Sequence, residues 1–277
     1  MFYLLKCLIQ MKILLNNIDL NKALYPTSNI GFVPTMGSLH SGHISLINRS
    51  LKECNKTLVS IFVNPKQFNN KKDYKKYPKN IQKDLKLLKK LKVDYVLIPS
   101  IKDVYANKSK KKFKIGKLNK ILCAKYRSGH FEGVLSVINQ FIKKLKINKI
   151  FLGEKDYQQY IIIKEFLKKN SNVKTILCKT IRMKNGLAYS SRNILLNHKS
   201  LKESASLILK VKKLFNLLKK NLNNKSIIKN FINKNKIFNI EYLELRNKNN
   251  LSEKINKKNV KIFIAFYIQG VRLIDNF

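Results

Sequence analysis

The chain has 277 residues, 44% of them hydrophobic, with 58 Lys and Arg against 15 Asp and Glu, a formal net charge of +43 at pH 7. That length suggests one or two domains, and the apolar content is ample for a sizeable core. No apolar run reaches the length of a membrane span, no C-x-x-C spacing signals zinc or a disulfide framework, and the charge is spread along the chain rather than gathered in one tail.

The lysines come with many Asn, Ile, Phe and Tyr, few Gly and Pro and no Trp. This reads as a chain-wide bias toward residues with A/T-rich codons, not as a nucleic-acid footprint. The densest run, Lys108–Lys114, reads as a solvated loop. Cys7, Cys54, Cys123 and Cys178 are widely separated, which fits a reduced, cytoplasmic setting. Met1–Gln10 is apolar without a cleavage pattern, and reads as an extension or a misplaced start before Met11.

In chain order, the first clear element is the apolar run Ile30–Val33, a predicted buried strand. It leads into Pro34-Thr35-Met36-Gly37-Ser38-Leu39-His40-Ser41-Gly42-His43, and Ile44, Leu46, Ile47 and Leu51 then follow at helical spacing. The stretch is a strand, a tight turn and a helix start. Gly37 and Gly42 allow sharp turning and close approach. A helix N-terminus offers free N–H groups to a phosphate, and His40 and His43, three apart, can both face it.

A second predicted strand, Leu58–Val63, ends at Asn64-Pro65-Lys66-Gln67-Phe68, where two neutral amides can hold a substrate carboxylate or hydroxyl. Asp73, Tyr77 and Pro78 form a shaped loop. Ile81, Leu85, Leu88 and Leu91 predict a helix, and Tyr95–Ile98 a strand. Asp103–Arg127 is irregular and basic, an excursion from the sheet. A helix over Val134–Leu145 precedes the strand Ile150–Leu152. Gly153-Glu154-Lys155-Asp156 follows that strand: Lys155 can neutralise a phosphate, and Asp156 can meet a ribose hydroxyl or help hold Mg²⁺. A helix from Tyr160 to Leu167 and a strand over Val173–Leu177 complete the alternation.

Strand–helix alternation of this kind means a parallel sheet covered on both faces, with ligands bound beyond the carboxyl ends of its strands. The polar motifs fall at those ends. Arg182–Asn193 then supplies Tyr189, Ser190, Ser191 and Arg192, an anion clamp, with Gly186 permitting a mobile loop at a domain boundary. Beyond it, a helix over Leu201–Leu222 and strands Ile240–Leu245 and Val260–Ile268 predict a smaller α+β domain. The expected division is 1–182 and 183–277.

Taken in this order, several segments resemble the pantothenate synthetase (pantoate–β-alanine ligase) family. They are Val33–His43, Phe62–Phe68, Tyr77-Pro78, Gly129-His130-Phe131-Glu132-Gly133-Val134, Gly153–Gln159, Gly186–Asn193 and Arg272-Leu273-Ile274-Asp275-Asn276. The departures are Lys66 for an uncharged residue, Lys79 for Arg, Tyr189 for a smaller apolar residue, and a slightly short loop before His130. The resemblance implies a Rossmann-like domain of the nucleotidylyltransferase (HxGH superfamily) type with a smaller C-terminal lid, and a homodimer. It implies that pantoate and ATP, with Mg²⁺, give pantoyl adenylate and pyrophosphate, and that β-alanine then gives pantothenate and AMP.

Carried over by motif, ATP would contact Met36, Gly37, Ser38, Leu39, His40, Ser41, Gly42, His43, Gly153, Glu154, Lys155, Asp156, Ile181, Tyr189, Ser190, Ser191 and Arg192. Pantoate would meet Gln67 and Gln159 with Asn64 nearby, and β-alanine would reach the adenylate near Gln67. His43 matches the family's proton donor; His40, Lys155, Ser190, Ser191 and Arg192 join it as catalytic candidates. No ligand set for the metal is implied, nor any specific nucleic acid or membrane partner. Two other readings stay open: a nucleotidylyltransferase or small class I tRNA-synthetase-like protein, and a basic nucleic-acid-binding domain on the same scaffold.

Overall fold

The computed structural model describes residues 11–15, 29–106, 113–222 and 225–277. Expectations for residues 1–10 and for most of the Lys108–Lys114 run lie outside them.

Six strands form a parallel sheet: β1 (Lys12–Leu14), β2 (Ile30–Thr35), β3 (Lys56–Ile61), β4 (Tyr95–Leu97), β5 (Lys149–Gly153) and β6 (Lys174–Cys178), in the order β1-β4-β3-β2-β5-β6. The five predicted strands are all present. β1 has no counterpart among them, because three residues are too few to show a period. The chain runs outward from β2 through β3 to β4, then returns to place β5 on β2's other side. That reversal is the topological switch point where such sheets open a crevice. The β2–β5 ladder registers only Gly31 with Lys149 and Phe32 with Ile150, whereas β2 pairs with β3 from Ile30–Lys56 through to Thr35–Ile61.

Alternate residues of each strand face opposite sides. Ile30, Phe32, Leu58, Leu97 and Ile150 join one buried cluster with the helices His130–Lys144 and Tyr157–Asn170. Val33, Val59, Val96 and Phe151 join another with Leu46, Ile47 and Leu88 of the helices Ser41–Glu53 and Ile81–Lys90. Asp103–Arg127 is partly ordered, as short helical turns at Ile101–Tyr105, Gly116–Lys120 and Leu122–Tyr126. Phe113, from the basic run, rests edge-on against Phe166 at 5.6 Å.

Past Arg182 the chain forms the long helix His198–Leu218, the helix Lys225–Lys234, and the antiparallel strands β7 (Ile240–Asn247), β8 (Val260–Ile268) and β9 (Val271–Asn276). β8 is apolar on both faces. Ile262, Ile264 and Phe266 pack with Leu207, Val211 and Phe215 of the long helix. Phe263 and Ala265 face the other way, into the cluster that covers the parallel sheet. The small sheet is thus a wall shared by two cores. Among the described residues, no helix is long and apolar enough to cross a membrane, and Cys54, Cys123 and Cys178 are free thiols.

Candidate active site

The turn after β2 is braced before any ligand arrives. Thr35 donates its hydroxyl to the Ser60 carbonyl at 2.7 Å and accepts from the Gly37 N–H at 3.1 Å. Gly37 (φ +77°) and Ser38 (φ +51°) are left-handed, and a Cβ on Gly37 would sit 2.9 Å from an Asp84 oxygen. That buried carboxylate accepts the N–H groups of Ser38 and Leu39, both at 2.8 Å. Burial pushes the Asp84 pKa up against these two bonds. Asp84 reads in the sequence as an ordinary helix residue; nothing local marks it as the brace of a turn 46 positions earlier.

His40 caps the helix Ser41–Glu53. Its Nδ1 accepts from the Gly42 N–H at 3.1 Å, and His43 Nδ1 accepts from the His40 N–H at 3.4 Å. This is a capping box built from two imidazoles. Both Nδ1 atoms are acceptors, so both ring protons lie on Nε2. The rings sit 4.0 Å apart between centroids, and Tyr189 lies nearly parallel to His40 at 6.1 Å. The Tyr189 departure therefore extends the imidazole stack. Burial, then the Lys155 charge, lowers the His40 pKa to about 4. Burial, His40 and Lys155 lower that of His43 well below its usual value. At neutral pH the pair offers uncharged Nε2–H donors rather than cations.

Lys155 stands on the turn Glu154–Asp156 after β5, its Nζ 3.2 Å from Asp156 Oδ1. The C-terminal sheet holds that turn. Lys261 pairs with Glu154 at 2.8 Å, and Asn276 Nδ2 donates to the Glu154 and Lys155 carbonyls at 2.9 and 3.0 Å. Beside it, Asp275 accepts both arms of Arg182 at 2.6 and 2.9 Å. Arg182 also donates to the Gly186 carbonyl at 3.1 Å, closing a small hairpin in which Arg182 pairs with Ala188. Gly186 makes the turn of this hairpin at φ +89°, where a Cβ would stand 3.1 Å from Leu209.

The hairpin delivers Ser190, Ser191 and Arg192. The Ser191 hydroxyl donates to the Ser38 carbonyl at 3.1 Å, tying the two loops together. Ser190 accepts from the Arg192 N–H at 3.3 Å, and Arg192 is held by Asp73 at 3.0 Å over the Tyr77 ring.

The two neutral amides behave differently from one another. Asn64 is 1% exposed, and its amide is saturated by protein. It donates to the Gly133 carbonyl (3.0 Å) and Gln67 Oε1 (3.3 Å), and accepts from the Tyr105 hydroxyl (2.8 Å) and the Lys66 N–H (3.2 Å). It buttresses Gln67 on the cavity wall. Gly133 must be glycine here, since a Cβ would lie 2.1 Å from the Lys66 carbonyl. The Lys66 departure is explained by its ammonium, 3.7 Å from the Tyr105 ring centre; Lys79 lies 4.9 Å from that of Tyr74. Gln67 reaches Met36 Sδ at 2.7 Å, while the Gln159 side chain, on the cavity wall, has no hydrogen bond among the described residues.

These groups surround one cavity of about 220 Å³ beyond the β2 and β5 ends. Its wall includes Met36, Gly42, Gly153, Ile181 and Gln159 with His40, His43, Asn64, Gln67, Lys155, Asp156, Tyr189, Ser190, Ser191 and Arg192. Gly37, Ser38, Leu39, Ser41 and Glu154 are not among its lining residues. The structure also brings in residues with no role foreseen from the sequence: Arg127 and His130. His130 Nδ1 contacts the Gln67 carbonyl at 2.6 Å, and its Nε2 lies 3.3 Å from Arg127 Nη1. Burial and the Arg127 charge lower its pKa to about 3. No cluster of three His, Cys, Asp or Glu suited to a metal occurs among the described residues.

Backbone donors at a helix N-terminus, uncharged imidazoles, a lysine and an arginine around a crevice at the switch point define a nucleotide-dependent α/β enzyme. The family model for pantoate–β-alanine ligase matches residues 10–277. A pantothenate synthetase of Francisella tularensis subsp. mediasiatica is 40% identical over 264 residues, covering 94% of this chain and 93% of that protein. The crystal structure of the Francisella tularensis pantoate–β-alanine ligase, complexed with "Beta-gamma ATP and Beta-alanine", superposes with a TM-score of 0.84 at 37% identity and covers 97% of each chain. The pantothenate synthetase of Thermus thermophilus gives 0.88 at 28% identity, over 96% of this chain and 99% of that one.

The chain belongs to the pantoate–β-alanine ligase family. It is an ATP-dependent ligase that forms a C–N bond.

Proposed function

We propose that the cavity joins pantoate to β-alanine in two steps, with ATP along Met36–His43, Gly153–Asp156, Ile181 and Tyr189–Arg192. Pantoate lies between Gln67 and Gln159. Its carboxylate, already ionised, attacks the α-phosphorus, and the bond to pyrophosphate breaks. The amine of β-alanine then attacks the acyl carbon beside Gln67, and the bond to AMP breaks. No nucleophilic side chain is needed; the work is positioning and charge stabilisation. His40 and His43 donate Nε2–H to phosphate oxygens, while Lys155 and Arg192 neutralise growing charge. Asp156 is the only carboxylate on the described cavity wall. It would hold Mg²⁺ together with the phosphates, consistent with a metal that keeps few protein ligands. When bound, the metal would supply charge neutralisation at those oxygens.

The observation that carries this reading is the side-chain amide of Gln159, without a hydrogen-bond partner among the described residues, on one cavity wall with two neutral imidazole donors. The domain division at 182/183 rests on the change of pattern after Arg182, the cytoplasmic setting on the scattered cysteines, and the homodimer on the resemblance. The test is pantoate-dependent ATP–pyrophosphate exchange. His43→Ala should slow it by roughly 10²–10³-fold, the scale of one lost transition-state donor. Exchange at the wild-type rate in that variant would refute the assignment.

A further inference from the structure

Tyr105 ends the short helix Ile101–Tyr105 after β4 and is not among the residues that line the cavity. Its hydroxyl nevertheless reaches the Gln67 amide through one intermediary. It donates to Asn64 Oδ1 at 2.8 Å, and Asn64 Nδ2 donates to Gln67 Oε1 at 3.3 Å. Burial pushes the Tyr105 pKa up to about 12, against hydrogen bonds with Ser136 and Asn64, so the hydroxyl keeps its proton and stays a donor. The Lys66 ammonium, 3.7 Å from the centre of the Tyr105 ring, holds that ring by its charge.

Two backbone groups settle the sense of these bonds. The Lys66 N–H can only donate, and it meets Asn64 Oδ1 at 3.2 Å; the Gly133 carbonyl can only accept, and it takes Asn64 Nδ2 at 3.0 Å. Asn64 therefore shows its N–H end to Gln67, which answers with Oε1. That turns Gln67 Nε2 into the cavity, where its partner is Met36 Sδ at 2.7 Å, a weak acceptor. The Gln67 main chain is held as well, with His130 Nδ1 2.6 Å and Arg127 Nη2 3.4 Å from its carbonyl. The backbone thus decides which end of Asn64 points where. The shortest bond to that amide, and the one that fixes its plane, comes from Tyr105.

We propose that Tyr105 is a positioning residue for the hydroxy acid substrate: through Asn64 it fixes the Gln67 amide with its N–H end toward the cavity. This rests on the reading above that pantoate lies between Gln67 and Gln159. An oxygen of pantoate accepts from Gln67 Nε2 and displaces the weaker thioether contact. An amide free to turn would spend part of its time showing Oε1 to that oxygen, lone pair against lone pair. Tyr105 removes that disorder before the substrate arrives. Lys66 belongs to the same device, since its ammonium holds the ring that carries the hydroxyl.

The test measures pantoate and ATP KM values in pantoate-dependent ATP–pyrophosphate exchange, for wild type, Tyr105→Phe, Gln67→Ala, the double variant and Lys66→Met. Tyr105→Phe keeps the ring and loses only the hydroxyl. Its pantoate KM should rise roughly 3- to 10-fold, the scale of one neutral hydrogen bond, with the ATP KM within roughly twofold. Adding Tyr105→Phe to Gln67→Ala should change the pantoate KM by no more than about twofold, because Tyr105 acts through Gln67. Lys66→Met leaves the hydrogen bonds in place and should raise the pantoate KM roughly two- to fivefold, the scale of an exposed cation–π contact. An unchanged pantoate KM in Tyr105→Phe, or in Lys66→Met should the first not fold, would overturn the proposal. So would full, independent effects in the double variant, or pantoate and ATP KM values rising together, which mark a structural prop. Absence of pantoate-dependent exchange in the wild type, or a normal pantoate KM in Gln67→Ala, would instead overturn the functional reading beneath it.

Discussion

His40 and His43 sit at a helix start, where each Nδ1 satisfies a backbone N–H that the helix leaves open. Protonating either ring costs that bond as well as a buried charge. The His40 imidazole should therefore titrate near pH 4 in the free protein. An NMR titration with a midpoint near 6.5 would show that the ring is not held as an acceptor. The amides separate equally well. Gln159 has an unspent side chain, whereas Asn64 spends all of its own on Gly133, Gln67, Tyr105 and Lys66. Gln159→Ala should raise the pantoate KM and leave ATP affinity nearly unchanged. Asn64→Ala removes a buried hub, and each stranded partner costs about 1–3 kcal/mol. It should lower the Tm as well as activity. Equal Tm losses in the two variants would mean that both amides are structural.

At the scale of elements, the carboxyl end of β5 and the edge strand β9 act together. Asn276 supplies the side-chain donor to two carbonyls of the Lys155 turn. Asn276→Ala should raise the ATP KM and destabilise by about 1 kcal/mol, the scale of lost hydrogen bonds to part-buried carbonyls. Thermal melting with ATP kinetics would show it; a variant with normal ATP use would mean that the turn holds its shape unaided. Five strands of the parallel sheet were legible, because runs such as Ile30–Val33, Leu58–Val63 and Ile150–Leu152 are continuous and apolar, of the sort a doubly covered sheet requires. So were His40, His43, Lys155 and Gln67, each at a strand's carboxyl end. Strand β9 was not, since Val271–Asn276 mixes Arg, Asp and Asn whose purpose lies in another part of the chain. Asp84, Arg127 and His130 were hidden for the same reason. Their partners stand 46, 60 and 63 positions away, beyond the reach of periodicity or local motif.

For the whole molecule, a net charge of +43 spread along the chain attracts polyanions without register. RNA binding should be weak and lost at modest salt; a titration showing tight, salt-resistant binding would point to a specific nucleic-acid surface. Acid should unfold the protein partly through His130. Its pKa falls from 6.5 in the unfolded chain to about 3 in the fold. The unfolded state thus binds the proton first, and stability present above pH 6.5 is lost as pH falls toward 3. His130→Gln should flatten that dependence by up to one proton, about 1.4 kcal/mol per pH unit. Denaturant melts at several pH values measure it, and an unaltered slope would contradict the burial of a neutral ring.

The contacts that set the Lys155 turn and Arg182 reach across 93 to 122 positions of sequence. Contacts that distant close late in folding, because the intervening chain must be ordered first. The reaction centre is therefore a timer as well as a site. Turnover should return in the last kinetic phase of refolding, after the signal of the parallel sheet. Amide protons of the Lys155 turn should exchange at the pace set by opening of β8 and β9, so that a partly folded chain holds ATP poorly and makes no acyl adenylate.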